Sequence, residues 1–266
     1  MSDIWQAKTY MKFLDARTRA AKDLLFAIPQ SFAPKLVYDL GCGPGNSTIL
    51  LKQRWPQVKI IGVDNSQDML NEAKITYPDL EFITGDITNF APAEKPDCIF
   101  ANASLQWLDQ HDILIPKLLE LLTIGGVLAI QIPNNFHYAS HQITLDLLEQ
   151  NKHWQHLVAI LKNTLRYGRL EKPFYDPAWY YDLYGTAKVA HVQLWETKYI
   201  QEMPNHEAIL NWMQGTGLRP ILSQLDQAQQ TEFEKLYVTE LKKRYPLQKN
   251  GKVLFPFRRF FMVAIK

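Results

Sequence analysis

A chain of 266 residues, 47% of them apolar, has the length and core content for one α/β domain with an added cap rather than for two independent domains. Its 29 basic and 27 acidic residues leave a net charge of +2, so charge alone argues against nucleic acid or an anionic membrane as partner. No apolar run approaches the roughly 20 residues of a membrane helix, and Met1-Ser2-Asp3-Ile4-Trp5-Gln6 lacks the basic-then-apolar pattern of a signal peptide, so a cytoplasmic location is expected.

Ala16 to Ile28 patterns as an amphipathic helix that Pro29 stops, with a polar, proline-containing linker to Pro34. The run Val37-Tyr38-Asp39-Leu40-Gly41-Cys42-Gly43-Pro44-Gly45-Asn46 then reads as a short apolar strand, a glycine turn and a helix start. Gly41 and Gly43 lack the Cβ atoms that keep backbone away from a ligand, and glycine tolerates positive φ. Asn46, Ser47 and Thr48 offer N-cap side chains for the helix, whose free N–H groups face the same place. A nicotinamide dinucleotide site needs glycines at the first, third and sixth positions. Here the glycines stand at 41, 43 and 45, and the sixth position is Asn46. A carboxylate at Asp39 repels a pyrophosphate and suits a ligand carrying an ammonium group.

The next strand, Val58 to Asp64, ends in a second acid, placed to accept hydrogen bonds from ribose hydroxyls. Ser66 caps a helix from Gln67 to about Tyr77, and Pro78 ends it. A third strand, Glu81 to Thr84, leads into Gly85-Asp86-Ile87, where Asp86 can accept from an adenine amino group while Ile87 packs on the ring. A fourth, Asp97 to Phe100, runs into Ala101-Asn102-Ala103-Ser104-Leu105-Gln106-Trp107; a fifth, Val127 to Ile132, follows Gly125-Gly126. Strands alternating with helices predict a parallel sheet. In such a sheet the acids at 39, 64 and 86 open on one crevice at the carboxyl ends of the strands, where ligands bind. Cys42 follows the carboxyl end of its strand and Cys98 lies near the amino end of its own, so the Cα separation below about 7 Å that a disulfide needs is not expected.

Between Asn134 and Ala190 the pattern turns helical and rich in histidine and aromatics, with breaks at Pro173 and Pro177; it reads as a cap over the crevice. The aromatic stretch from Trp179 to Trp195 is a candidate pocket wall or interface. A strand from Val189 to Tyr199, a helix from Pro204 or Asn205, a helix near Gln227 to Tyr245 and a strand to Ile265 follow.

From Leu36 to Ile132 the chain resembles class I S-adenosylmethionine-dependent methyltransferases, with Asp39 to Gly45 as their first motif. Four segments outside that motif are similar to the trans-aconitate 2-methyltransferase family: Tyr10 to Arg19, Phe100 to Leu108, Trp212 to Pro220 and Phe255 to Phe261. The resemblance implies an α/β fold, a doubly wound Rossmann-like sheet of seven strands, mostly parallel with the last strand antiparallel, carrying a helical cap. It divides the chain into an N-terminal helical lid (1–34), a cofactor-binding core (35–133), a helical cap insertion (134–189) and a C-terminal strand-helix-strand segment (190–266). It implies S-adenosylmethionine as cofactor, held by Asp39, Gly41, Gly43, Asp64, Asn65, Asp86, Ile87, Asn102 and Ala103. It also implies a small polycarboxylic acid, trans-aconitate foremost, as methyl acceptor, held by Trp107, Arg219, Arg258, Arg259 and Tyr10.

A methyl group on a sulfonium is already activated, so holding the reactants in near-attack geometry supplies much of the catalysis. A carboxylate acceptor is ionised at neutral pH and needs no general base, and neither a catalytic side chain nor a metal is expected. His137 and His141 can share a helix face, but without a nearby carboxylate they read as pocket lining. Guanidinium groups bind carboxylates with paired hydrogen bonds, which singles out Arg219 in its glycine-rich turn, Arg258 and Arg259, and Arg17 and Arg19. Alternation along a strand sends Arg258 and Arg259 to opposite faces. Trp5, Tyr10 and Phe13 are candidates for a lid or for helix anchors. Two alternatives remain: methylation of a malonyl group on a carrier protein, with Lys242, Lys243 and Arg244 as a docking face, and a non-catalytic cofactor-binding module.

Overall fold

The computed structural model describes residues 14–164 and 176–266, with side chains over 18–161 and from 176 onward. Trp5, Tyr10, Phe13 and Pro173 lie outside the described residues, as does the side chain of Arg17. The chain forms two compact units, one of residues 1–133, 175–196 and 259–266, the other of 134–174 and 197–258.

Strands β1 (Leu36–Leu40), β2 (Lys59–Asp64), β3 (Glu81–Thr84), β4 (Cys98–Asn102), β5 (Val127–Pro133), β6 (His191–Met203) and β7 (Val253–Ile265) form one sheet in the order β3-β2-β1-β4-β5-β7-β6. The first five pair in parallel, and β7 runs antiparallel to β5 with Val127 opposite Ile265 and Pro133 opposite Arg259. This is the sheet expected from the sequence. The helices, in chain order, are α1 (Leu14–Ala27), α2 (Asn46–Arg54), α3 (Gln67–Thr76), α4 (His111–Leu121), α5 (Ala139–Gln150), α6 (Leu157–Thr164), α7 (Pro177–Thr186), α8 (His206–Gln214), α9 (Arg219–Leu222) and α10 (Gln227–Arg244).

Period-two alternation divides the sheet's side chains between two faces. One face carries Tyr38, Leu40, Ile61, Val63, Ile99, Leu128 and Ile130 into a core with Leu114, Ile115 and Leu118 of α4. Each such side chain contributes about 1.5–3 kcal/mol on burial. On the other face α1 packs against β4 and β5, and against α2. Of the aromatics between 179 and 195, Tyr180 and Tyr184 join this unit's interior, Trp179 and Trp195 are half-buried against it, and Tyr181 is exposed. Tyr180 meets Trp179 and Phe260, the Tyr184 hydroxyl faces the Met262 sulfur at 3.8 Å, and Trp195 stacks on Phe261 with 4.7 Å between centroids.

Ser66 caps α3 as expected, accepting from the Met69 N–H at 3.3 Å. Asn205 caps α8 by accepting from Ala208 at 2.8 Å. Asp226 and Gln229 bond reciprocally at the start of α10. Three local readings differ. The cap of α2 is Gly45 at φ 87°, not a side chain, because Ser47 and Thr48 turn their hydroxyls inward to Asp39. His137 lies in the turn before α5, so it shares no helix face with His141. Arg219 opens the short helix α9 rather than sitting in an open turn, since Pro220 is tolerated in a first turn.

In the second unit α10 packs on α5 and α8, and α6 packs on α5 and α9. Tyr237 donates to the Ser140 carbonyl at 2.7 Å, and the Ser140 N–H donates to the Tyr245 hydroxyl at 3.0 Å. Trp154 packs on Phe233, and Trp212 on Phe255 and Phe257.

Candidate functional site

The glycine turn after β1 closes over the end of β2. Gly41 N–H and Cys42 N–H both donate to the Val63 carbonyl, at 2.7 and 3.1 Å, and Gly43 N–H donates to Asp64 Oδ2 at 2.8 Å. Gly41, Gly43 and Gly45 all take positive φ. A Cβ on Gly41 would stand 2.2 Å from Ser104 Cβ, so only glycine lets the turn close on the end of β4. A Cβ on Gly43 meets nothing within 4 Å and would project into open space.

That space is a cleft of about 290 Å³ lined by Gly41, Gly43, Pro44, Asp64, Asn65, Met69, Gly85, Asp86, Ile87, Ala103, Ser104, Trp107 and Leu108. None of the lining residues is a cation, and two are carboxylates. Asp64 Oδ1 accepts from Ser66 N–H at 2.9 Å while Oδ2 holds Gly43, so the acid at the end of β2 is fixed from both sides. Asp86 Oδ1 accepts from the backbone and hydroxyl of Thr88, at 2.9 and 2.8 Å, which pins the short helix Ile87–Asn89. Ile87 is buried beside it.

Asp39 departs from the expectation that three acids face one crevice. It sits inside β1 with no exposed surface, outside the cleft lining, and its Oδ2 accepts from Ser47 Oγ and Thr48 Oγ1, both at 2.7 Å. Burial raises its carboxyl to about 6 despite these two bonds, and the charge of Asp64 adds in the same direction. Asp39 therefore anchors the first turn of α2.

Behind the glycine turn lies a recess of about 40 Å³ lined by Thr18 and Ala21 of α1, by Asn46 and Ser47, and by Asn102 and Ala103. The side-chain oxygens of Asn46 and Asn102 are buried without a hydrogen-bond partner. A buried group left unpaired costs about 1–3 kcal/mol, so the pair marks a place prepared for a donor. Ala103 holds φ 54°, unusual for a residue with a Cβ, and donates to the Gln131 carbonyl at 2.8 Å.

Trp107 lines the cleft from the short helix Leu105–Trp107. That helix is held from behind: His111 Nε2 faces the Leu105 carbonyl at 2.9 Å, and its Nδ1 faces the Tyr180 hydroxyl at 2.8 Å. A carbonyl can only accept, so in the neutral ring Nε2 carries the proton and Nδ1 accepts.

The structure thus gathers Gly41, Gly43, Asp64, Asn65, Asp86, Ile87, Ala103 and Trp107 at one cleft, with Asn102 in the adjoining recess. Sequence reading missed Met69, Pro44, Ser104 and Leu108. Met69 belongs to an amphipathic helix, and no local pattern separates its cleft-facing position from a core one. Arg258 and Arg259 point oppositely as alternation predicts, Arg259 buried and Arg258 half-buried with its guanidinium 5.9 Å from the Tyr138 ring centre. Arg219, half-buried, and Arg258 belong to the second unit; Arg19 is exposed on α1.

Cys42 and Cys98 are buried free thiols, and burial holds both well above the ordinary thiol range, so neither is a nucleophile. Among the described residues no cluster of histidine, cysteine and acids is arranged for a metal, and no helix is long and apolar enough to cross a membrane. Lys242 faces Glu207 at 3.5 Å, Lys243 faces Glu240 at 2.6 Å and Arg244 faces Asp146 at 2.5 Å, so the basic run is matched by acids.

Residues 37–126 match the family described as a methyltransferase domain. The chain is 43% identical over 262 residues to the trans-aconitate 2-methyltransferase of Azoarcus sp. (strain BH72), covering 98% of this chain and 99% of that one. It is 43% identical over 264 residues to the enzyme of the same name from Escherichia coli O139:H28, covering 99% and 98%. Among solved structures, the YcgJ protein of Bacillus subtilis superposes with a TM-score of 0.58 at 15% identity, over 95% of this chain and 98% of that one. Phosphoethanolamine N-methyltransferase 2 of Haemonchus contortus gives a TM-score of 0.54 at 13% identity, over 95% and 52%. The seven-stranded sheet, mostly parallel with an antiparallel last strand, matches the expectation, and the full-length identity settles the lineage: this chain belongs to the trans-aconitate 2-methyltransferase family and is a methyltransferase.

Proposed function

We propose that this enzyme transfers a methyl group from S-adenosylmethionine to a carboxylate of trans-aconitate, forming a methyl ester. The observation that carries the cofactor assignment is the chemistry of the cleft: two fixed carboxylates, unpartnered amide oxygens in the adjoining recess, and no lining cation. Such a set fits a ligand with ammonium, sulfonium and hydroxyl groups and disfavours a pyrophosphate. When bound, S-adenosylmethionine supplies an activated methyl group.

In this reading Asp64 accepts from the ribose hydroxyls, with Asn65 beside it. Asp86 accepts from the adenine amino group while Ile87 packs on the ring. Gly41 and Gly43 let backbone approach the ligand, and Asn102 and Ala103 face its amino-acid end. Asp39 anchors α2 through its Oδ2, while its Oδ1 is buried without a hydrogen-bond partner. Trp107 packs on the acceptor and excludes water. Arg219, Tyr10 and one of Arg258 and Arg259, which point to opposite faces, supply contacts to the acceptor's carboxylates. No general base is needed because the attacking carboxylate is ionised at neutral pH.

Methylation on a carrier protein is the weaker reading, since Lys242, Lys243 and Arg244 already face acids. A cytoplasmic location and the absence of a nucleic-acid partner belong to the same proposal. The test is transfer from labelled cofactor to a panel holding trans-aconitate, other di- and tricarboxylates and malonyl-carrier protein. Label on trans-aconitate as a methyl ester is expected, and exclusive labelling of the carrier protein would replace this reading with the alternative.

A further inference from the structure

One polar side chain of the first unit is used by nothing described above. Gln131, in the carboxyl half of β5, has no exposed surface, and neither its Nε2 nor its Oε1 has a hydrogen-bond partner. Buried amides are almost always bonded, and one with both ends idle calls for an explanation. Its neighbours along β5 on the same face, Val127 and Ala129, are fully buried and apolar, so the face turns polar only at this end of the strand.

The register shows what stands beside it. Gln131 pairs with Asn102 on β4, whose Oδ1 is also buried and idle, and with Phe261 on β7. Two residues from Phe261 on the same face comes Arg259, opposite Pro133, a residue only 6% exposed. Laterally paired residues point to the same side of a sheet, about 4.8 Å apart from strand to strand. An amide oxygen, a complete amide and a cation are therefore arrayed across three adjacent strand segments. Asn102 borders the recess beside the glycine turn, and Gln131 lies one strand beyond it.

We propose that Gln131 is a specificity-determining residue for the acceptor, its Nε2–H₂ donating to a carboxylate that Arg259 neutralises, with Asn102 marking the cofactor side of the array. This rests on the proposed carboxyl methylation and adds the chemistry that selects the acid. An amide suits the position because it donates without adding a second charge, whereas a glutamate there repels the substrate.

Gln131→Leu removes both polar ends at similar volume, and replacing an unpaired buried amide by an apolar group leaves a fold as stable or more so. The expected result is an unchanged or raised Tm, unchanged S-adenosylhomocysteine affinity by calorimetry, and kcat/KM for the acid lowered about 10- to 100-fold, the worth of a hydrogen bond to a charged group. Gln131→Glu should lower it further. Equal kcat/KM in wild type and Gln131→Leu, with trans-aconitate methylated by both, would overturn the assignment and leave the proposed function standing. If the wild type instead methylates or binds another acid of the panel, and Gln131→Leu weakens that acid selectively, the assignment holds while the proposed substrate fails. A wild type stabilised by none of the di- and tricarboxylates, in thermal shift with S-adenosylhomocysteine present, would refute the carboxylate site itself.

Discussion

A methyl group added at Gly41 meets Ser104, and one added at Gly43 meets open space, although both residues hold positive φ. Gly41→Ala should therefore lose about 3 kcal/mol, combining left-handed backbone strain with overpacking at the end of β4. Gly43→Ala should lose only about 1 kcal/mol from backbone strain, while its Cβ intrudes on the ligand and weakens S-adenosylhomocysteine tenfold or more. Urea unfolding and calorimetry on the two variants check the contrast; equal effects on both readouts would contradict it. Asp39 offers a second test at this scale. Its carboxyl is raised to about 6, above the value of an unfolded chain, so the native state holds the extra proton and stability falls as pH rises from about 4 to about 6. His141, lowered to about 4 by burial, acts oppositely: its contribution is intact above its unfolded value and is lost as pH falls toward 4. Asp39→Asn removes the first effect, on the order of 3 kcal/mol, and should make stability rise more steeply with pH across that window. Urea midpoints from pH 4 to 7 report the slope, and an unaltered slope would show that Asp39 is not the group responsible.

At the scale of elements, Ser66 is the cap that the sequence foretold, while Asn205 and Asp226 are assigned as caps by the structure. Ser66, Asn205 and Asp226 each cap a helix, because a side-chain oxygen satisfies free N–H groups two or three residues ahead without help from distant chain. Removing the reciprocal pair at α10 with Asp226→Ala should cost about 1 kcal/mol, seen as a lower urea midpoint with an unchanged m-value; a changed m-value would mean that more than the cap was lost. The start of α2 was misread because its Ser47 and Thr48 hydroxyls have a tertiary alternative in Asp39, and Gly45 takes the cap position. The aromatics from Trp179 to Trp195 read as a pocket wall or an interface, since composition shows their size but not that Phe260 and Phe261 of β7 receive Tyr180 and Trp195.

At the scale of the whole molecule, a ligand that binds only the folded chain stabilises it by mass action, about 2.7 kcal/mol at a hundredfold excess over Kd. The cleft is lined entirely by residues of the first unit, whereas Asp226 belongs to the second. S-adenosylhomocysteine should therefore raise the stability of wild type and Asp226→Ala by the same amount, within about 0.5 kcal/mol. A difference beyond 1 kcal/mol would expose coupling between cap helix and cleft. The sequence by itself determined the strands, the glycine turn and the acids at 64 and 86. Each rests on a short apolar run buried on both faces of the sheet, on a required positive φ, or on a carboxylate at a strand's end, all legible within a few residues. Only the tertiary structure decided that Asp39 is withdrawn from the cleft and that Met69 and Ser104 line it. It alone set Gln131 beside Asn102, on the face that carries Arg259. Those placements depend on strand register and on which helix covers each face, which are supplied by segments far apart in the chain.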